Sequence, residues 1–314
     1  MKGIELSRAF FEQYGRKMIE NEFSEYADRI AAGLVGQGSE RYGFDDEISR
    51  DHDNCAGFCL WISKEDDEKF GFELARAYRH LASEYMGVST KENMRCSLSK
   101  YGVITYDDFF VPLVGENYKN LSPLDFLYTP SNYLADASNG EVFFDGNGEF
   151  SRIREQIKNG MPEDIRLKKL AAALAGMAQS GQYNYARILS HGENAAAVLA
   201  LCEFVKYTCF AVFLINRQHA PYYKWTLRAL TQLNILGNLA PSLEYLLLSE
   251  NESDSSHKLK SDIIEDICAF VADELKKQAL SDSSSDFMEE HARSVMNRIH
   301  SADIRNLHIM TGAL

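Results

Sequence analysis

The sequence predicts an α+β protein whose strands are confined to its first half. Short apolar runs of strand length occur at residues 55–62 (CAGFCLWI), 102–106 (GVITY) and 141–144 (EVFF). Beyond Glu149 no further strand is expected, and the segments read as helices. The composition, 45% apolar and 11% aromatic with 6 Pro and 20 Gly in 314 residues, is that of a globular chain long enough for roughly two domains. The expected organisation is a mixed α/β domain over residues 1–150 and an all-α helical-bundle domain over residues 151–314.

Taken in order, residues 4–32 read as an amphipathic helix, because Phe10, Phe11, Tyr14, Met18 and Ile19 recur at threes and fours. A glycine-rich segment follows at 33–38 (GLVGQG), then a charged stretch and the strand at 55–62. A helix is expected at 69–85, then strands at 102–106 and 141–144, the last closed by the turn DGNG at 145–148. In the second half, helices are expected at 151–158, 162–179, 183–190, 193–218, 222–233, 241–248, 256–277 and 286–300. Pro162 followed by Glu163 and Asp164 is a helix-start signal, since acidic side chains favour the positive end of the helix dipole.

Forty-six acidic side chains against 33 basic ones give a net charge of −13, which disfavours non-specific binding to nucleic acid. Residues 195–215 (AAAVLALCEFVKYTCFAVFLI) approach membrane-spanning length, but Glu203 and Lys206 fall mid-span, so a buried helix and no membrane association are expected. The first residues carry charges throughout and lack the apolar core of a secretory signal, so the expected compartment is the cytosol. The six cysteines (Cys55, Cys59, Cys96, Cys202, Cys209, Cys268) show no zinc-type spacing and are expected to be buried free thiols.

The chemistry concentrates in residues 38–53, GSERYGFDDEISRDHD. A Gly-Ser pair ends a short apolar segment, and Asp51 and Asp53 stand two apart just before a strand, where alternate residues share a face. Two carboxylates so placed suit a hard divalent cation, and Gly38 leaves room for a triphosphate to approach backbone N–H groups while Ser39 adds a hydroxyl. Asp45, Asp46 and Glu47 are expected to be solvated, and His52 to face away from the aspartates. In HAPYYKW (219–225) Lys224 opens a helix after Pro221 among three aromatic rings, and an ammonium there needs an anionic partner, either a phosphate or a nearby acid. In QYNYAR (182–187) Tyr183 and Arg187 share a helical face.

The Gly-Ser pair followed at this spacing by Asp-x-Asp resembles the nucleotidyltransferases of the DNA polymerase beta type. More narrowly, GFDDEISRDHD, EVFFDGNGEFSRIRE, QYNYAR and APYYKW look like an uncharacterised bacterial family of nucleotidyltransferase-like proteins within that superfamily. The resemblance implies a nucleotidyltransferase-type mixed sheet followed by a helical domain. It implies that Asp51 and Asp53 are the catalytic metal ligands for Mg2+, with Mn2+ as its substitute. Gly38, Ser39 and Lys224 would contact a nucleoside triphosphate. The implied reaction moves AMP to a hydroxyl of a small molecule or protein and releases pyrophosphate. The superfamily supplies a third carboxylate from a later strand, but in GVITY an uncharged residue, Gly102, takes that place, with Asp107 and Asp108 as nearby substitutes. This departure keeps two other readings open: a nucleotide-binding sensor without turnover, and an interaction protein of the toxin and antitoxin kind.

Overall fold

The computed structural model describes residues 2–46, 57–86 and 101–313. Within these the chain is α+β: a small four-stranded mixed sheet and many helices. It divides into two compact units, one formed by residues 1–125 and 133–160, the other by 126–132 and 161–314. The division thus follows residue 160, not 150, because the helix after the last strand packs on the sheet.

The first unit opens with α1 (Gly3–Phe10), a π-helical stretch Phe11–Gly15 and α2 (Arg16–Glu22). The expected helix over 4–32 ends there. A 3-10 stretch Ser24–Arg29 leads into β1 (Ala31–Leu34), a strand where the sequence suggests the end of a helix and the start of a loop. β2 (Cys59–Ile62) is followed by the helical turn α3 (Lys64–Asp66), a π-helical stretch Asp67–Gly71 and α4 (Phe72–Met86). β3 (Gly102–Thr105) runs into α5 (Tyr106–Val114), α6 (Pro123–Tyr128) and α7 (Ser131–Ser138), three helices not anticipated above. β4 (Glu141–Asp145) and α8 (Glu149–Asn159) complete the unit, while residues 126–132 of α6, α7 and their link belong to the second.

The strand order is β3-β2-β1-β4. β1 lies antiparallel to both β2 and β4, whereas β3 runs parallel to β2. On one face Ala32, Leu60 and Ile62, with Phe58 just before β2, cluster with Phe10, Phe11 and Met18 of the N-terminal helical run and with Phe70 and Leu74 of the helical run into α4. On the other face Trp61 stacks on Phe150 of α8 at 4.2 Å and meets Phe109 of α5 edge-on at 5.5 Å. Helices therefore cover both faces, and every residue of β1 and β2 is buried.

The second unit is built round α9 (Glu163–Met177), in which every residue from Ile165 to Met177 is buried. The helix continues as a π-helical stretch Ala178–Tyr185 and α10 (Ala186–Ser190). Then come α11 (Asn194–Ile215), α12 (Tyr223–Leu230), α13 (Ala240–Leu248), α14 (Asp254–Lys277), α15 (Met288–Met296) and α16 (Ala302–Arg305). α9 packs chiefly on α11 and α15. α11 is long and apolar enough to cross a membrane, but most of its apolar window is buried within the protein. Its Glu203 and Lys206 are half-exposed and paired at 3.6 Å. Cys59, Cys209 and Cys268 are buried thiols outside any disulfide, as expected, while Cys202 is a thiol on the surface. Cys55 and Cys96 lie outside the described residues.

Being buried all round, α9 must satisfy its polar side chains inside. Lys168 donates from Nζ to the carbonyls of His308 and Ile309 at 2.7 and 2.8 Å, and Lys169 donates to Thr129 O at 3.0 Å. Burial holds both ammonium groups down at about 8. In the unfolded chain these lysines titrate near their ordinary value of 10.5, so between about 8 and 10.5 the unfolded state binds more protons. Their contribution to stability must therefore rise with pH across that window. Denaturant unfolding of the parent and of Lys168→Met at pH 7.5 and 9.5 checks this: the parent should gain stability relative to the variant at the higher pH.

Candidate functional site

The pairing register decides what shares an end of the sheet. Gly33 of β1 faces Cys59 of β2, Cys59 faces Gly102 of β3, and Leu34 faces Glu141 of β4. The connection from β1 to β2, which carries the Gly-Ser pair, thus leaves and rejoins the sheet at one end. The other end gathers Ala31, Ile62, Thr105 and Asp145. Asp51, Asp53, Glu47 and His52 lie outside the described residues.

Gly38 has φ +136°, a conformation that disfavours any side chain, and a Cβ there would come within 2.7 Å of Glu40 Oε2 and 2.8 Å of Arg41 Nη1. Ser39 opens a 3-10 turn, Ser39–Tyr42, closed by Gly43 N donating to Glu40 O at 3.2 Å and Phe44 N donating to Ser39 O at 2.8 Å. Arg41 and Glu40 form a buried ion pair, and Arg41 Nε donates to Val35 O at 3.1 Å. Arg41 thereby ties the end of β1 to the turn.

α7 and the residue after it brace the same turn. Asn139 accepts from Gly36 N at 2.8 Å and donates from Nδ2 to Gly36 O at 2.8 Å, so one side-chain amide satisfies both backbone groups of a glycine. Tyr42 donates its hydroxyl to Asp136 Oδ1 at 2.6 Å. Burial raises the Asp136 carboxyl above its ordinary value, against the hydrogen bonds from Tyr42 and Gln37. Burial and then the Asp136 charge raise the Tyr42 phenol. Arg154 of α8 donates to the carbonyls of Ser138, Asn139 and Gly140 at 3.1, 2.5 and 3.4 Å, fixing the end of α7. None of Asp136, Asn139 and Arg154 was singled out in the sequence. The Asn139-Gly140 pair before a strand was the available turn signal.

Asp45 departs from expectation because it is buried, not solvated. Its Oδ2 accepts from Gly3 N at 2.9 Å and its backbone oxygen accepts from Lys2 Nζ at 2.7 Å, so α1 is pinned by its first turn to the Gly-Ser connection. Asp45 Oδ1 is buried without a hydrogen-bond partner.

Asp107 and Asp108 do not stand in for a third carboxylate near the Gly-Ser turn. They follow Thr105 at the opposite end of the sheet, about 10 Å from Gly102 along β3. Both are engaged there: Asp108 accepts from Thr105 Oγ1 at 2.7 Å in the cap of α5, and Asp107 accepts from Tyr118 OH at 2.6 Å. Gly102 itself does lie at the Gly-Ser end, with φ +101° and its N–H donating to Phe58 O at 3.0 Å. Among the described residues no group of three His, Cys, Asp or Glu side chains could hold a metal ion.

Lys224 belongs to the second unit, on the first turn of α12, exposed and with its ammonium 5.1 Å from the centroid of the Trp225 ring. No carboxylate pairs with it among the described residues. Arg187 lies over the Tyr183 ring at 5.6 Å, consistent with their shared face.

Residues 126–226 match a family described as a domain of unknown function, DUF4037. The match includes Asp136, Asn139, QYNYAR and APYYKW but not the Gly-Ser turn. Among solved structures, the chain aligns with a nucleotidyltransferase-like protein from Exiguobacterium sibiricum 255-15 at 15% identity, covering 87% of this chain and 81% of that one, with a TM-score of 0.36. No curated protein matches the chain.

The buried Glu40–Arg41 pair generates a stability prediction. Arg41→Met leaves the Glu40 carboxylate buried without its cation and should cost about 3–5 kcal/mol in denaturant unfolding. Adding Glu40→Gln should recover part of that loss, because the stranded charge is removed.

Proposed function

We propose that this chain is a magnesium-dependent nucleotidyltransferase that moves AMP from ATP to a hydroxyl of a small molecule or protein and releases pyrophosphate. The observation that carries this reading is the backbone at Gly38. It is held in a left-handed conformation that a Cβ would obstruct, at the sheet end where the connection to β2 both departs and returns. Such a turn offers backbone N–H groups to the β and γ phosphates, with the Ser39 hydroxyl as a further donor. Asp51 and Asp53 belong to that same connection, shortly before Cys59.

The donor set fits a hard divalent ion, since carboxylate oxygens and phosphate oxygens are its preferred ligands. Asp51 and Asp53 would hold magnesium, and the bound ion would supply charge neutralisation on the triphosphate. In the reaction the acceptor oxygen bonds to the α-phosphorus, the bond from that phosphorus to the bridging oxygen breaks, and the electron pair leaves with pyrophosphate. The acceptor proton passes to a base. In this reading Lys224 is the cation that the sequence offers to the phosphates.

A second reading, a nucleotide-binding sensor without turnover, is favoured by one observation. Gly102 occupies the β3 position at the Gly-Ser end, while Asp107 and Asp108 are bound elsewhere. Pyrophosphate release on addition of MgATP and hydroxyl acceptors separates the two.

Asp51→Asn and Asp53→Asn should each abolish magnesium-dependent ATP binding while leaving the ligand-free Tm unchanged. Binding equal to the parent's in both variants would remove the metal assignment. Ser39→Ala should weaken MgATP by about 1 kcal/mol, the worth of one hydrogen bond. Lys224→Met should lower MgATP affinity without lowering Tm.

A further inference from the structure

The Gly-Ser turn is shaped from outside itself. Two side chains reach it from the α7 end of the unit and a third holds one of them, and none belongs to the Gly-Ser or Asp-x-Asp motif. Asn139 closes a two-bond ring with Gly36, Asp136 receives the Tyr42 hydroxyl, and Arg154 caps the carbonyls of residues 138–140 from which Asn139 projects. Gly36 and Tyr42 are the two ends of the stretch that contains Gly38 and Ser39. Gly36 also has φ +110°, and a Cβ there would come within 3.3 Å of Phe109, so the clamp acts on backbone that could not easily carry a side chain. A turn fixed at both ends loses little freedom when it receives a ligand, whereas a loose one must first be ordered.

We infer that Asn139 and Asp136 are positioning residues that preset the Gly36–Tyr42 turn to receive the β and γ phosphates of a nucleoside triphosphate, with Arg154 holding Asn139 in place. This rests on the nucleotidyltransferase reading of the Gly-Ser turn and adds residues that lie far from it in sequence. Neither side chain needs to touch the ligand. Their effect must therefore fall on the phosphates that the turn contacts and spare the rest of the nucleotide.

The test is calorimetric titration of the full chain with MgATP and, separately, with AMP. In Asn139→Ala both bonds to Gly36 are lost, and MgATP affinity should fall about tenfold or more while AMP affinity stays within about twofold. Tyr42→Phe removes only the hydroxyl donated to Asp136 and should give a smaller loss of the same kind. It also decides the matter if Asn139→Ala fails to fold. Amide exchange of residues 35–44 should accelerate in Asn139→Ala before any ligand is added. A folded variant that binds MgATP as the parent does overturns the inference and leaves the nucleotidyltransferase reading standing. Equal losses for MgATP and AMP overturn it too, since they would mark general loosening. A parent that does not bind MgATP overturns both.

Discussion

The first unit depends on a strand with almost no side chains. β1 is Ala-Ala-Gly-Leu, buried along its whole length and paired on both edges. At Gly33 a Cβ would fall 2.9 Å from Val142 Cα and still closer to the Glu141 carbonyl, so the register with β4, irregular between Ala32 and Gly33, tolerates only glycine there. Because β1 is antiparallel to both neighbours, its exit fixes the sheet end at which the Gly-Ser turn, Gly102 and the Asn139 brace all lie. The aromatic layers on either face then follow from which residues of β2 alternate up and down.

The second unit meets the opposite problem. Its central helix carries charged side chains where the surroundings leave no water, and each resolves this by reaching a neighbouring segment. Arg166 binds Glu163 at 2.6 Å and the Leu214 carbonyl at 2.9 Å, which holds the Glu163 carboxyl down at about 2, with Arg217 adding a further contact. Lys168 and Lys169 secure the last turn of the chain and the segment 126–132. That segment lies in the second unit although it sits between two stretches of the first, and the Lys169 bond to Thr129 is one of the contacts that keeps it there.

Much of this was legible in the sequence, and what was not has identifiable causes. β2, β3 and β4 contain β-branched or aromatic residues flanked by turn signals, so their runs are visible within a few residues of the observed bounds. β1 lacks both marks. Alanine is a helix former and glycine reads as loop, and only tertiary pairing makes AAGL a strand. The second-half helices were visible through their periodicity, although the π-helical stretch at 178–185 merged two of them. Within the candidate site, Gly38 and Ser39 could be read from their spacing to Asp51 and Asp53. Asp136, Asn139 and Arg154 could not, because their partners lie about a hundred residues away along the chain for the first two and no short motif encodes such a distance.

The two tryptophans are divided evenly between the units. Trp61 is wholly enclosed, its indole N–H without a hydrogen-bond partner and its ring against Phe150. Trp225 is partly exposed beneath the Lys224 ammonium. An indole sealed in hydrocarbon emits at shorter wavelength than one beside a charge and water. The protein therefore carries an optical reporter in each unit, and the two differ in the wavelength at which they emit without any label being attached.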